Sequence, residues 1–283
     1  NTGFPPRTKA RTVLTVHDLA FHFFPDTYTL FQHARYRITR ARSSISHANA
    51  IIAISRSTAR DVRAFGIHAP IHIIPHGINI AQFASVVRPE DTRTLEQLGV
   101  QKPYVLFLAT CEPRKNLPSL VEAFDRIAHA HPHLQLVIAG GHGWKRRVLD
   151  KTIASAAHRA RIRQTGFVKD DVRATLLRHA ACLCLPSRYE GFGMQMLEAF
   201  ACKTPVIASN NSSMTEVGED AALYVRAMNT HELARTIDEL LKDTTLREQL
   251  TTRGIARLQT YNWRASAQKI HDILASYDAR GTV

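Results

Sequence analysis

The sequence predicts an α/β protein built on two doubly wound parallel sheets, of which the first is incomplete. Apolar runs of strand length alternate with amphipathic helical segments over residues 104–225, which is typical of a whole doubly wound domain. Residues 12–75 show the same alternation but supply only about three strands. Residues 80–101 are polar and charged and lack strand signals, so they are predicted to link the two domains.

The composition favours a folded cytoplasmic protein that meets phosphate groups. Of 283 residues, 45% are hydrophobic, which is ample for the cores of two domains. No apolar run approaches the ~20 residues of a membrane span, and the start shows no secretory signal pattern. The four cysteines form no CxxC pair, as expected of reduced cytoplasmic thiols. The net charge of +13 indicates contact with nucleic acid, anionic lipid or a nucleotide.

The first domain begins with a predicted strand over residues 12–16 that ends at His17 and Asp18. Polar residues at the carboxyl end of a parallel strand lie where ligands bind in open α/β sheets. Further strands are predicted over residues 50–54 and 71–74. Ser55 has the type and position of an N-cap for a helix that ends near residue 65.

An amphipathic helix is predicted over residues 30–48, because apolar residues recur there at spacings of three and four. The apolar stripe consists of Ala34, Ile38, Ala41, Ile45 and Ala48. The residues outside the stripe include Arg35, Arg37, Arg40 and Arg42. Residues 1–75 carry ten Lys or Arg against three acids, which is +7 of the +13. The arginines form either a solvated helix face or a contact surface for an anionic membrane or a lipid-phosphate-linked acceptor.

The second domain is predicted to alternate strands and helices in a regular order. Its strands are expected over residues 104–109, 134–139, 165–168, 181–185, 205–208 and 222–225. Its helices are expected from Pro118, over 170–179, after the turn at 190–193, and over 229–242, 244–260 and 263–276. Cys182 and Cys184 lie two residues apart on one strand, so their side chains should face the same side.

One stretch, SRYEGFGMQMLEAF at residues 187–200, combines a glycine-bearing turn with the start of a helix. The unpaired N–H groups and the dipole at a helix start favour an anion, and Gly191 and Gly193 let a ligand approach the backbone. Glu190 and Glu198 bracket the turn, at roughly 10 Å along the axis of a helix. This spacing suits a long ligand with an anionic centre and hydroxyl groups at both ends, such as a nucleotide sugar.

Two motifs together resemble a known enzyme family. The form EGFGMQMLEAFACKTPVIAS resembles the signature of the retaining, GT-B-type glycosyltransferases of family 4. The form EPRKN at residues 112–116 resembles the basic phosphate-binding turn of that family. The resemblance implies two Rossmann-like domains, the N-terminal one incomplete. Its divisions are the end of an acceptor-side domain at 1–80, a linker at 81–101, the donor-binding domain at 102–260 and a crossover helix at 261–283.

The resemblance also implies what holds the donor. Arg114 and Lys115 would neutralise the diphosphate, and Glu198 would accept hydrogen bonds from the ribose hydroxyls. The glycine loop after a strand, which begins at Gly140, would face the donor, and Val168 would lie in the segment that faces the base. The backbone of the turn would help to hold the diphosphate, through Gly191, Phe192, Gly193 and Met194.

The catalytic groups implied by the resemblance are Glu190 and His17. Glu190 would face the donor sugar and stabilise an oxocarbenium-like transition state. His17 would contact the sugar from the other domain, across the cleft. Catalysis would be electrostatic and positional, with no metal and no cofactor.

The implied reaction is the transfer of a hexose from a nucleotide sugar to a saccharide or lipid-linked acceptor. The form LATCEPRKNLPSLVEAF most resembles mannosyltransferase-like members, which favours GDP-mannose over a UDP-sugar. A full family member would carry a further glycine-rich loop and much of the acceptor site before residue 1. The alternative is therefore a non-catalytic nucleotide-sugar-binding remnant, or a subunit that needs a partner lobe. We expect a cytoplasmic location with peripheral contact to the inner membrane face. No aromatic-interleaved basic stripe or zinc spacing supports nucleic-acid binding.

Overall fold

The computed structural model describes residues 10–38 and 41–278. Within them the chain forms a three-stranded and a six-stranded sheet, both parallel and both flanked by helices. The α/β class with two parallel sheets is therefore confirmed.

The first sheet has the strand order β1-β2-β3. Its strands are β1 (Val13–Val16), β2 (Ala50–Ala53) and β3 (Ile71–Ile73). Its helices are α1 (Ala20–Phe23), α2 (Leu30–Ile38), α3 (Ala41–Ser46) and α4 (Arg56–Ala64). The Ser55 side chain accepts a hydrogen bond from the Thr58 N–H, which confirms the predicted N-cap of α4.

The apolar stripe predicted for residues 30–48 is wrong in its first part. Ala34 is exposed and lies on the same outward face of α2 as Leu30 and Phe31. The inward face carries Tyr36 instead, whose ring centroid lies 4.3 Å from that of Phe21. A tyrosine ring can bury far more apolar area than an alanine methyl group. Ile45 and Ala48 are buried as predicted. Thr39, Arg40 and the side chains of Ile38 and Ala41 lie outside the described residues.

The second sheet has the strand order β6-β5-β4-β7-β8-β9. Strands β5 and β6 are therefore added on one side of β4 and strands β7 to β9 on its other side, so the order of the strands switches between β4 and β7. Its strands are β4 (Tyr104–Leu108), β5 (Gln135–Ala139), β6 (Ile162–Gly166), β7 (Cys182–Leu185), β8 (Val206–Ser209) and β9 (Ala222–Val225). The helices of this domain, numbered on from α4, are α5 (Glu90–Leu98), α6 (Leu117–Ile127), α7 (Arg147–Ser155), α8 (Asp170–His179), α9 (Met194–Ala201), α10 (Met214–Gly218), α11 (Thr230–Lys242), α12 (Thr244–Leu258) and α13 (Trp263–Asp278).

Apolar residues cover both faces of this sheet. One cluster includes Leu106, Met196 and Phe200, and the other includes Phe107 and Phe124. The second cluster also holds Cys182 and Cys184, whose sulfurs are 3.9 Å apart on the same side of β7, as predicted. Burial on both faces explains why the central strands are continuous apolar runs in the sequence.

Two segments differ from the sequence prediction. Residues 81–101 contain α5, which packs against the second domain through Leu95 and the buried Asp91. Arg178 forms an ion pair with Asp91 at 2.6 Å. The charge of Asp91, one of the charged residues that led to the linker prediction, is therefore compensated inside the protein. Strand β6 occupies 162–166 rather than 165–168, because it is an edge strand with exposed polar residues and lacks an apolar run.

The last helix, α13, crosses back to the first domain, as the resemblance implies. Ser266 Oγ donates to the Pro75 carbonyl at 2.8 Å, and the Trp263 ring lies 5.4 Å from that of His76. A Cβ atom on Gly77 would lie 2.2 Å from the Trp263 nitrogen, so the close approach of these backbones requires glycine.

Candidate active site

The candidate site lies where the second sheet reverses, at the carboxyl ends of β4 and β7. In open α/β sheets, ligands bind in the crevice at such a switch point. The loop after β4 carries EPRKN, and the loop after β7 carries the glycine turn. Hydrogen bonds join the loops: the Arg188 N–H donates to the Arg114 carbonyl at 2.8 Å, and Asn116 Nδ2 donates to the Pro186 carbonyl at 3.1 Å. The structure therefore brings together the two motifs that the sequence singles out.

Glu190 is at the centre of this site and is only 7% exposed. Its carboxylate accepts from Lys115 Nζ at 2.6 Å, from Ser187 Oγ at 2.7 Å and from Arg114 Nη1 at 3.0 Å. Burial acts to raise the pKa of Glu190, but attraction by Lys115 and Arg114 outweighs it and holds the pKa at about 2. Glu190 is therefore ionised at neutral pH and acts as a fixed negative charge, not as a general acid.

The Arg114 guanidinium is bound by the protein itself. Besides Glu190 it contacts the Glu112 carboxylate, and it donates to the Tyr189 carbonyl at 2.7 Å. Its buried Nε has no hydrogen-bond partner among the residues that the structure describes. Arg114 thus braces Glu190 and the turn, in addition to any contact with phosphate.

The turn at 190–193 is held at several backbone atoms. Glu190 N–H donates to Ser212 Oγ at 2.9 Å, and the Glu190 carbonyl accepts from Ser213 Oγ at 2.9 Å. Gly193 has a φ of 94° and immediately precedes α9, so a glycine serves this helix start as predicted.

His17 reaches this turn from the first domain. A Cβ atom on Gly191 would lie only 2.1 Å from the His17 carbonyl oxygen, so the two backbones are in direct contact. The His17 ring is exposed and lies 5.4 Å from that of His76. The structure therefore brings the predicted histidine to the glycine turn.

Glu198 lies on α9 and is 4% exposed. Arg173 Nη2 is 3.2 Å from its Oε1, whereas Glu198 Oε2 and Arg173 Nε are buried without partners in the described part of the chain. Burial raises the pKa of Glu198 to about 7, although attraction by Arg173 opposes the rise. Buried polar atoms without partners are uncommon, so this pair suits a ligand that brings hydroxyl groups.

The remaining predicted donor residues contribute mainly backbone and packing. A Cβ atom on Gly140 would lie 1.8 Å from the Ala109 carbonyl oxygen, so this glycine lets β4 and β5 end side by side. Val168 and Met194 are partly buried against the same core cluster. The Phe192 ring is buried 5.3 Å from that of His76, so its side chain packs at the contact between the domains.

Several residues of the site receive no site role from the sequence. They are Ser55, Thr58, Asp61, Arg173, Ser187, Tyr189, Ser212 and Ser213, although Ser55 is predicted as an N-cap and Ser187 and Tyr189 lie in the stretch that contains the glycine turn. Ser212 and Ser213 follow the carboxyl end of the parallel strand β8, and this position is the one sequence signal that could have indicated a role in the site. Over residues 10–38 and 41–278, no group of three His, Cys, Asp or Glu side chains is arranged to hold a metal ion.

Comparison with known families shows to which protein family the chain belongs. The family described as "Glycosyl transferases group 1" matches residues 90–257, which is more than half of the chain, and "Glycosyltransferase Family 4" matches residues 3–82. The chain belongs to the group 1 glycosyl transferases. The family predicted from the two motifs is thereby confirmed.

Relatives of this glycosyl transferase include mannosyltransferases. It is 28% identical over 261 residues to O-antigen chain mannosyltransferase B of Escherichia coli, a match to 91% of this chain and 68% of the relative. It is 31% identical over 205 residues to the phosphatidyl-myo-inositol mannosyltransferase of Mycobacterium tuberculosis, a match to 70% of this chain and 52% of the relative. The chain thus spans about half to two thirds of the length of these relatives.

Solved structures share the fold. Sucrose-phosphate synthase from Thermosynechococcus elongatus superposes with a TM-score of 0.81 at 25% identity, over 95% of this chain and 68% of that chain. Anabaena HepE in complex with UDP and glucose superposes with a TM-score of 0.80 at 20% identity, over 95% of this chain and 72% of that chain. The predicted GT-B-type fold is confirmed.

Proposed function

We propose that this glycosyltransferase moves mannose from GDP-mannose to a saccharide or lipid-linked acceptor, with retention of configuration. The observation that carries the proposal is the switch-point cluster, in which Lys115 and Arg114 hold an ionised Glu190 beside the glycine turn. Two cations at this edge can neutralise a leaving diphosphate, and the carboxylate can stabilise positive charge on the sugar. Mannosyltransferase relatives support the choice of sugar.

The ends of the site suit the two ends of such a donor. The Glu198 Oε2 atom, which has no partner among the described residues, can accept from ribose hydroxyls, while the His17 backbone contacts the turn at Gly191. The sugar would therefore lie between Glu190 and the first domain. The acceptor hydroxyl oxygen would bond to the anomeric carbon as the bond from that carbon to the diphosphate oxygen breaks, and the hydroxyl proton would pass to the departing diphosphate. Glu190 and His17 would then contribute charge stabilisation and alignment and need not transfer a proton.

Calorimetric titration with GDP and UDP tests the donor site. We expect GDP to bind more tightly than UDP, and Glu198→Ala to weaken GDP binding about tenfold, because the ribose loses a buried hydrogen-bond acceptor. Glu239→Ala, on the exposed side of α11, is the matched control and should leave binding unchanged. Preference for UDP would reassign the donor, and no binding to either nucleotide would refute the proposed site. Binding without mannose transfer would favour the non-catalytic alternative.

We also propose that α2 lies on an anionic membrane that carries the acceptor. Leu30 is 88% exposed and Phe31 is 80% exposed, and together with Ala34 they form an outward apolar ridge. By helical geometry Arg35 and Arg37 lie on opposite flanks of this ridge. An apolar centre with basic flanks matches a bilayer interface, where apolar side chains enter and arginines meet lipid phosphates. None of the described helices has the length and apolar content that crossing a bilayer requires.

Co-sedimentation with phosphatidylglycerol vesicles at low salt tests this contact. We expect Leu30→Ser/Phe31→Ser to reduce the bound fraction at least about tenfold, because two apolar side chains that enter the bilayer in the proposed contact are lost. The control Val148→Ser/Met228→Ser removes two similarly exposed apolar residues from the second domain and should bind as wild type does. Equal binding by all three proteins, or none by the wild type, would remove the proposal.

A further inference from the structure

The first turn of α4, in the first domain, binds a peptide group of the glycine turn at 190–193, in the second domain. The Gly191 carbonyl accepts from Ser55 Oγ at 2.8 Å and from Thr58 Oγ1 at 3.2 Å. All three residues are buried. We infer that Ser55 and Thr58 are positioning residues that orient the Phe192 N–H toward the donor phosphate, a role that rests on the proposed donor site.

The inference follows from the planarity of the peptide bond. In a trans peptide the C=O and N–H point in opposite directions, so fixing the Gly191 carbonyl also fixes the Phe192 N–H. Ser213 Oγ binds the Glu190 carbonyl at 2.9 Å and fixes the Gly191 N–H in the same way. The N–H groups of Gly191 and Phe192 are thus oriented by hydrogen bonds to the carbonyl oxygen on the opposite side of each peptide group. They are preorganised for an anion at the start of α9.

The N–H groups themselves point to a ligand. Gly191 and Phe192 are buried, yet neither N–H has an acceptor among the described residues. Buried backbone donors without partners are rare in folded proteins. A phosphate oxygen would satisfy both, whereas a turn that served only to join β7 to α9 would not leave them open.

Residues of the second domain hold α4 in position, so the hydrogen bonds of Ser55 and Thr58 to the glycine turn depend on how the two domains dock. The Glu216 carboxylate accepts from the N–H groups of Arg56 at 2.8 Å and Ser57 at 3.2 Å. The Tyr189 hydroxyl donates to Asp61 at 2.5 Å, one turn further along the same helix. If the domains moved apart, the Gly191 carbonyl would lose its bonds to both hydroxyls. Phosphate binding and domain docking are therefore linked through one peptide group.

The test compares the affinities of GDP and guanosine by calorimetry. For Ser55→Ala/Thr58→Val we expect GDP to bind about five- to tenfold more weakly while guanosine binding stays within about twofold, because only the phosphate contact is affected. Ser55→Thr/Thr58→Ser keeps both hydroxyls and should restore GDP affinity. Ser57→Ala, on the same helix but without a hydrogen bond to the turn, is the control and should match wild type.

A second variant covers the case in which the α4 double variant does not fold. Ser213→Ala removes the equivalent bond from within the second domain and should show the same selective loss of GDP affinity. Unchanged GDP affinity in these variants, or parallel losses for GDP and guanosine, would overturn the inference while leaving the donor site intact. Absence of GDP binding by the wild type would instead refute the donor site, and the inference with it.

Discussion

Replacing Gly191 with alanine should reduce the proposed mannose transfer by at least about 100-fold. The new Cβ would lie 2.1 Å from the His17 carbonyl oxygen and 2.9 Å from Asp18 Cβ, so the two domains must move apart to admit it. The His17 carbonyl is backbone and Asp18 Cβ is bonded directly to the backbone, so neither can rotate away as the end of a flexible side chain can. A shift of about 1 Å between reacting groups is enough for a loss of this size. Transfer is measured as GDP release from GDP-mannose with octyl α-mannoside as acceptor.

Gly66→Ala provides a control in which a glycine outside the site is replaced without a steric clash. Gly66 has a φ of 85° at the end of α4, and a Cβ added there would have no described atom within 4 Å outside its chain neighbours. Alanine there should cost about 1 kcal/mol in unfolding free energy and leave transfer near wild type. If Gly191→Ala also transfers at a rate near wild type, close docking of His17 is not required for the reaction.

The central strands of the second sheet can be predicted because a strand buried on both faces of the sheet consists of an unbroken run of apolar residues. Strands β4, β5 and β7 follow this rule, and each lies within about one residue of its predicted bounds. Helix α5 escapes prediction because its buried face includes Asp91, whose charge is cancelled by Arg178 from a distant helix. Strand β6 is displaced because an edge strand needs no apolar run. Sequence patterns detect burial, and they fail where burial is polar or partial.

The candidate site is predictable only as far as its residues sit in local motifs. The spacing of the glycine turn and EPRKN indicates Glu190 and Lys115, which lie 2.6 Å apart in the structure. The hydroxyls of Ser55 and Thr58 come from more than 130 positions away in the chain, and the local sequence indicates Ser55 only as a helix N-cap, not as a partner of the glycine turn. Their role depends on how two domains dock, a three-dimensional property that periodicity and spacing in a single sequence do not encode.

Glu190→Gln should have the largest effect on catalysis, a loss of about 1000-fold in transfer. The neutral amide cannot stabilise positive charge on the sugar, and it leaves Lys115 and Arg114 beside a buried group without charge. Removing one partner of a buried ion pair should also lower the unfolding free energy by about 3 kcal/mol. GDP release from GDP-mannose and urea unfolding at pH 7 measure the two effects.

The pH dependence of stability gives this prediction a second test. The pKa of Glu190 is about 2 in the folded protein, below its ordinary value of 4.5. A depressed folded pKa means that the carboxylate stabilises the fold above about pH 4.5, and that this contribution is lost as the pH falls toward 2. The stability difference between wild type and Glu190→Gln should therefore be constant near neutrality and shrink in acid. A difference that stayed constant down to about pH 2.5 would show that the ion cluster does not stabilise the fold.

Asp91→Asn separates the catalytic from the structural role of the Glu190 charge. Asp91 is also a buried acid held by an arginine, Arg178, but it anchors α5 away from the switch point. Its replacement should lower the unfolding free energy by a similar amount, about 3 kcal/mol, while transfer stays within about threefold at temperatures where the variant is folded. Equal losses of transfer in both variants would mean that Glu190 acts only by holding the fold. A selective loss in Glu190→Gln would show that its charge acts on the sugar.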